Sequence, residues 1–360
     1  MLGKLFLLLA IPLFAQRYHF ACEQCHTVIP ELNNFGKAFL AAGLQLPLPK
    51  HGTTGVAIRY QLEYQVDPVN SRRYTPGGIL LTNWDIGAVS AFVHYNLGAQ
   101  GGPAGLYLGF LTNYNAHTQA LYTGGLFELP LWQSPGQRLD DLQQYGYYGA
   151  HVGLNDLTLA SPRWGAMYQR SIGSTVVDAV MDLGEFKGAP YGGAPVPTGA
   201  TTSAQAPEIS LWARTPIGDA FSVGAQALEG TRRIVLVGKA PFDDAYMRAG
   251  FDGAWEYGRL QLQGEQWWGR DFDADGFGTL IGSAGGYVRA KYYIGEGDHA
   301  YLGVRYDAYD NPIITRDVTY YGALMIFRRA RIELQQVQTI GSTGSFGGAL
   351  TVAFPSPLKM

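Results

Sequence analysis

From residue 56 to residue 66 the chain alternates with a strict period of two. Val56, Ile58, Tyr60, Leu62, Tyr64 and Val66 fall on one face of an extended backbone, and Arg59, Gln61, Glu63 and Gln65 on the other. The pattern recurs. Leu260 and Leu262 oppose Arg259, Gln261, Gln263 and Glu265; Leu302, Val304 and Tyr306 oppose Tyr301, Arg305 and Asp307; Ile332 and Leu334 oppose Arg331, Glu333 and Gln335. Each run is long enough to cross a bilayer obliquely. Such a strand has one greasy and one polar face, and it cannot sit in a membrane as an open sheet, because its edge N–H and C=O groups would stay unpaired. The pattern therefore restricts the chain to a closed barrel, with a soluble β-sandwich or solenoid as the competing reading.

About sixteen such segments are expected, starting near residues 55, 77, 88, 105, 119, 163, 174, 208, 220, 244, 258, 281, 299, 316, 329 and 345. Tight turns are expected at 217–219, 256–258, 294–299 and 328–329. Longer links are expected at 67–76, 130–162, 185–207, 230–243, 270–280, 310–315 and 339–344. Short turns on one side and long loops on the other mark an outer-membrane barrel, and an even strand count returns both termini to the periplasmic side. Composition agrees: 48 Gly, 23 Tyr, 15% charged residues and a net charge of −3, which gives no reason to expect a nucleic-acid partner. The expected fold is all-β, an antiparallel outer-membrane barrel of about 16 strands over residues 54–360, with the lipid bilayer as its surroundings. One feature fits poorly: Phe354 is followed by Pro355-Ser356-Pro357-Leu358-Lys359-Met360, where many such barrels end on an aromatic residue.

The N-terminus carries a different signal. Residues 1–15 read as a secretory signal peptide, with Lys4, an apolar run from Leu5 to Phe14, and Ala15 at the cut. Then come Cys22-Glu23-Gln24-Cys25-His26, the C-x-x-C-H attachment sequence for one covalent c-type haem. Cys22 and Cys25, the only two cysteines, would form the thioethers, and His26 would be the proximal iron ligand. A thioredoxin-like pair is the competing reading, but it needs a βαβ setting that is missing here. Residues 16–50 thus read as a monohaem cytochrome segment, too short to make its own core. Pro30 starts a helix that Gly43 ends; Leu32, Phe35, Phe39 and Ala42 form its apolar stripe and would cover a haem face. The remaining walls are expected from the barrel, with the segment in or across its periplasmic mouth; a haem tethered outside is the alternative.

The stretch from Arg17 to Gly43 resembles the fused monohaem cytochrome–porins, in which a short c-haem segment precedes an outer-membrane barrel. Cys22, Cys25, His26, Thr27, Pro30, Leu32, Asn33, Phe35, Gly36, Phe39 and Gly43 carry the likeness; Leu44 departs from it. The resemblance implies electron transfer across the outer membrane to periplasmic carriers such as soluble c-type cytochromes, with extracellular Fe(II) as the donor in some members, which would make the chain an Fe(II):cytochrome c oxidoreductase.

For the sixth iron ligand His51 is the expected residue, with His19, His117, His299 and the methionines Met167, Met181, Met247 and Met325 as other candidates. The expected lumen lining is Arg59, Glu63, Arg259, Glu265, Arg305, Asp307, Arg331 and Glu333. Asp271, Asp273 and Asp275 open a D-x-D-x-D-G run like an EF-hand loop, but Gly282 stands where the bidentate Glu belongs, so a weak loop cation site is the most it predicts. Three readings remain: an electron conduit, a solute porin with the haem segment as plug or gate, and a haem-based sensor of a small ligand.

Overall fold

The computed structural model describes Tyr18, Cys25 and residues 54–66, 72–98, 104–133, 145–186, 200–295, 300–311, 313–327, 330–341 and 344–355. Among them lie seventeen strands: β1 (Thr54–Val66), β2 (Arg72–Ile86), β3 (Val89–Asn96), β4 (Gly105–Asn115), β5 (Ala120–Phe127), β6 (Arg163–Ile172), β7 (Thr175–Glu185), β8 (Ala200–Ala204), β9 (Glu208–Ile217), β10 (Phe221–Leu236), β11 (Phe242–Tyr257), β12 (Leu260–Asp271), β13 (Ile281–Ile294), β14 (Ala300–Asn311), β15 (Ile313–Phe327), β16 (Ala330–Thr339) and β17 (Ser345–Pro355). Neighbouring strands pair antiparallel, with β7 passing directly to β9, and β17 closes on β1 from Val66↔Phe346 to Ala57↔Pro355. No edge remains, as a bilayer demands.

The circumference is sixteen strands. β8 and β9 occupy one position, because both pair with β10: β9 along Phe221–Glu229 and β8 along Arg232–Leu236. The Gln205 N–H donates to Thr231 O at 3.0 Å across the break between them. Strand starts lie within about three residues of the sequence expectation except for β2, which begins five residues early, at Arg72. Two links predicted to be long are short. β10 and β11 leave only 237–241 between them, since their extensions pair to Ile234↔Phe242. β14 and β15 pair to Asn311↔Ile313.

One end carries the tight turns. Gly87 and Gly173 hold φ near +61°, the left-handed conformation that two-residue hairpins require. The other end carries the long loops. Outward-facing side chains form the apolar belt, among them Leu211, Phe251, Leu302, Leu324 and Leu334. Exposed aromatics collect near the strand ends: Tyr122, Phe221, Tyr257 and Tyr292 by the short turns, Trp164, Trp268 and Phe346 by the long loops. That is the paired girdle of a membrane barrel. Inward-facing positions alternate with these. Glu63, Glu265, Arg305, Asp307, Arg331 and Glu333 are all buried inside, as their strand parity predicts. Arg259 departs from the expectation, because the Gly258–Arg259 turn carries it out of β12 and leaves it exposed.

In the connection between β5 and β6, the described stretches 128–133 and 145–162 fold back into the barrel. Tyr145, Tyr147, Tyr148, Leu157 and Leu159 pack against Trp212, Leu228, Tyr246, Trp267 and Tyr287 of the inner wall. A 3-10 turn, Gly146–Tyr148, presents the tyrosines. The main apolar core of this barrel therefore sits within the lumen, between loop and wall.

Candidate functional site: the lumen and its internal loop

Buried charges pin the loop to the wall. Glu208 on β9 accepts from Arg163 Nη1 at 2.8 Å and from Arg232 Nη2 at 2.6 Å. Arg163 also donates to Thr158 O of the loop at 2.7 Å, and Arg232 to Asp156 Oδ1 at 2.9 Å. Glu185 on β7 accepts from the Thr158 N–H and hydroxyl. Two guanidinium groups thus meet carboxylates from strand and loop alike. An ion network of this kind is costly to desolvate and costlier to break at one member.

Farther round, Asn155 is a hub. Its amide donates to Asp244 Oδ2 at 2.7 Å and Asp271 Oδ1 at 3.1 Å, and its own oxygen accepts from the Leu157 N–H at 3.0 Å. The neighbouring Leu154 N–H donates to Ala274 O at 2.7 Å, tying the internal loop to the connection after β12. Gly153 permits the approach: it has φ +56°, and a Cβ there would stand 2.6 Å from Ala274 O. Tyr148 donates to Glu265 Oε2 at 2.7 Å, while Trp267 Nε1 donates to Glu265 Oε1 at 2.8 Å. Burial, then the Glu265 carboxylate, pushes the Tyr147 and Tyr148 phenols well above the ordinary tyrosine range, so both stay neutral. Tyr145 lies against Tyr287 at 4.4 Å and under the Arg305 guanidinium at 4.1 Å. A small open cleft remains between loop and wall, bordered by Tyr147, Leu157, Arg248, Trp267 and Tyr309.

On the opposite wall, register places Ala57, Leu81, His94 and Leu108 in one inward-facing row across β1 to β4. Phe92 and Phe110 stack beside it at 5.2 Å, and Tyr107 meets the His94 ring edge-on at 5.0 Å. His94 is fully buried. Its Nε2 lies 3.3 Å from Asn96 Oδ1, and its Nδ1 has no hydrogen-bond partner among the described residues. An apolar patch holding one histidine is unusual inside a polar lumen.

Of the expected haem-segment residues, Cys25 is helical and half-buried. Cys22, His26, Pro30, Leu32, Phe35 and Phe39 lie outside the described residues, as do His19, His51 and His299. His117 is exposed in the turn between β4 and β5. Met181 and Met247 face outward, whereas Met167 packs on the loop cluster.

The acidic run is not gathered into a cation site. Asp271 turns inward to Arg248, at 2.8 Å, and to Asn155. Asp273 accepts from the Gly278 N–H and Asp275 from the Phe277 N–H, so both shape the turn. Backbone donors accordingly hold the Asp275 carboxyl below its usual range. No cluster of three or more such ligands forms among the described residues. Sequence reasoning had recognised 130–162 as long but missed its inward course, and it did not single out Asn155 or His94. The loop's Tyr145, Tyr147 and Tyr148 were the available signal, since a solvated loop rarely carries so many aromatics.

No protein-family model matches the chain, and no curated protein sequence matches it. Solved structures do match in fold. The outer membrane channel DcaP of Acinetobacter baumannii aligns with a TM-score of 0.60 at 11% identity, covering 84% of this chain and 96% of that one. The anion-selective porin from Comamonas acidovorans aligns at 0.59 and 11%, covering 84% and 99%. Salmonella typhi OmpF, in complex with daunomycin, aligns at 0.60 and 8%, covering 84% and 97%. The chain is a sixteen-stranded barrel with the fold of the outer-membrane porins, and its girdled apolar belt is that of a barrel embedded in an outer membrane.

Proposed function

We propose that the barrel is an outer-membrane channel for small solutes whose aperture is set by the loop 128–162. The observation that carries this reading is the loop's inward docking through Asn155, Tyr148 and the Arg163–Glu208–Arg232 network. A sixteen-strand barrel is wide enough to leave a water-filled lumen, and a packed loop narrows it on one side. The printed descriptions of the fold neighbours, a channel and an anion-selective porin, point the same way. The test is single-channel conductance of the purified protein in planar bilayers. Discrete ohmic steps are expected, with larger steps in Asn155→Ala, which removes hydrogen bonds that dock the loop to the wall. A protein that inserts and stays silent overturns the reading.

A second reading is kept alive by Cys22, Cys25 and His26, whose spacing is that of covalent haem attachment. In it the barrel carries electrons between an extracellular reductant, Fe(II) being one, and periplasmic carriers. The thiols would hold the haem and His26 would ligate it, and the group would supply one-electron chemistry. Barrel residues fit such a group: the Ala57–Leu81–Leu108 row is apolar and contains an imidazole with an uncommitted nitrogen. The test is a haem stain on a denaturing gel after expression with c-haem maturation; absence of covalent haem removes this reading.

A further inference from the structure

We infer that Asp182 and Glu208 share one proton, and that this proton is a latch: while it is held the internal loop stays docked, and its loss as pH rises lets the loop go. The inference adds regulation to the channel reading above and rests on that reading for its consequence, an aperture that responds to pH. Three observations carry it.

The first is the ladder. Asp182 on β7 and Glu208 on β9 are register partners, and both side chains are fully buried inside the barrel. Directly opposed side chains on one face of a sheet have Cβ atoms about 5 Å apart. A single atom, Arg163 Nη1, lies 2.8 Å from Glu208 Oε2 and 3.9 Å from Asp182 Oδ1. Two carboxyl groups brought this close in a buried site do not both ionise; one keeps a proton.

The second is the division of donors. Glu208 accepts three charge-assisted bonds, one from Arg163 Nη1 and two from Arg232, Nε at 2.9 Å and Nη2 at 2.6 Å. That set holds it ionised. Asp182 Oδ1 accepts from the Gly184 N–H at 2.8 Å, and its Oδ2 is buried with no hydrogen-bond partner among the described residues. A proton on Oδ2 turns that orphan acceptor into a donor beside Glu208. The proton therefore belongs on Asp182.

The third is the surrounding charge. Among the described residues, Asp182, Glu185 and Glu208 on the wall and Asp156 on the loop meet two cations, Arg163 on β6 and Arg232 on β10. Tyr246 on β11 meets Glu208 over Gly230 and brings no positive charge. The carboxylates are not gathered as metal ligands among the described residues, so a proton is the fitting neutraliser.

The same two arginines hold the loop, Arg163 through Thr158 O and Arg232 through Asp156. A charge on Asp182 would repel Glu208 and draw Arg163 away from Thr158. Undocking admits water and returns Asp182 toward the ordinary Asp value, about 3.9. The docked form thus binds the extra proton. Docking is fully favoured below that value and weakens as pH climbs, by at most about tenfold per pH unit for one proton, until the docked form too has lost it. His151 on the loop acts on Asp156 and works in the opposite sense, so the test sets it aside.

The test uses the full chain with His151→Asn as background, purified in detergent and checked for a folded barrel by heat-modifiable gel mobility. Amide exchange is followed at Thr158, whose N–H reaches Glu185 in the docked loop, and expressed as a protection factor to remove the intrinsic pH dependence of exchange. Protection is expected to fall at least about tenfold between about pH 5 and pH 9. Adding Asp182→Asn should keep it high throughout, because the amide donates to Glu208 and accepts from Gly184 as the protonated acid does. Protection that is flat across pH in the background chain, or a fall that persists in folded Asp182→Asn, overturns the latch. If Asp182→Asn does not fold, infrared difference spectra of the background chain decide. The band of a protonated carboxyl must then vanish in step with Thr158 protection, and protection lost without that band overturns the latch. A chain that unlatches with pH yet passes no current upholds the latch and removes the channel reading.

Discussion

Asn155→Ala should undock the internal loop while leaving the barrel closed. The substitution removes two hydrogen bonds to carboxylates, Asp244 and Asp271, and one from the Leu157 N–H, all buried. Bonds to charged acceptors contribute about 1.5–3 kcal/mol each and neutral ones about 1. The low end applies here, because Asp271 keeps Arg248 at 2.8 Å and Asp244 keeps the Asp273 N–H at 2.8 Å. The total is about 4 kcal/mol, close to a thousandfold rise in the undocked population. Limited proteolysis added from the long-loop side should cut within 128–162 much faster than in the unaltered protein, and channel current should become larger or noisier. The heat-modifiable gel shift should not change, because the strand ladder is untouched. Asn155→Asp sharpens the test. At neutral pH it sets a third carboxylate against Asp244 and Asp271, which repel it, so undocking should be worse. Protonation restores a donor, so docking should recover as pH falls. Protection and conductance unchanged within twofold in Asn155→Ala would refute the view that this hub holds the loop.

Glu208→Gln leaves Arg163 and Arg232 without their shared carboxylate and should cost about 3–5 kcal/mol, read as a lower denaturant midpoint. Gly153→Ala forces a Cβ toward Ala274 O and should loosen the contact between the loop and 272–280, seen as faster amide exchange at Leu154. Leu334→Lys, outward-facing near the middle of β16, should destabilise the barrel by about 2–4 kcal/mol in lipid. Burial lowers His151 below its usual 6.5 against an opposing pull from Asp156. The unfolded or undocked form therefore binds the extra proton, and loop docking should weaken as pH falls below about 6.5, an effect that His151→Asn should abolish.

The barrel was readable because each strand writes its own two faces. Arg59, Glu63, Glu265 and Arg305 needed only the parity of their neighbours to be placed inside. β8 escaped notice because Ala200–Ala204 is small and polar, and it becomes a strand only through its pairing with Arg232–Leu236. β2 was started late because Pro76 reads as a break, yet the strand runs through it opposite Leu62. The internal loop was illegible for a different reason. Asn155 finds Asp244 and Asp271, and Tyr148 finds Glu265, across long separations in the chain. No local period encodes such meetings. In the D-x-D-x-D-G run the oxygens serve Arg248 and backbone N–H groups, a use that spacing alone does not distinguish from ion binding.

The β1–β17 seam has a consequence for assembly. It joins the first and last strands, so no cylinder exists until almost the whole chain is laid down, and every partial sheet carries two raw edges. Closure is the slow, long-range event, and the chain must be sheltered until it happens. Biogenesis, more than equilibrium stability, would then decide which molecules of this protein mature correctly.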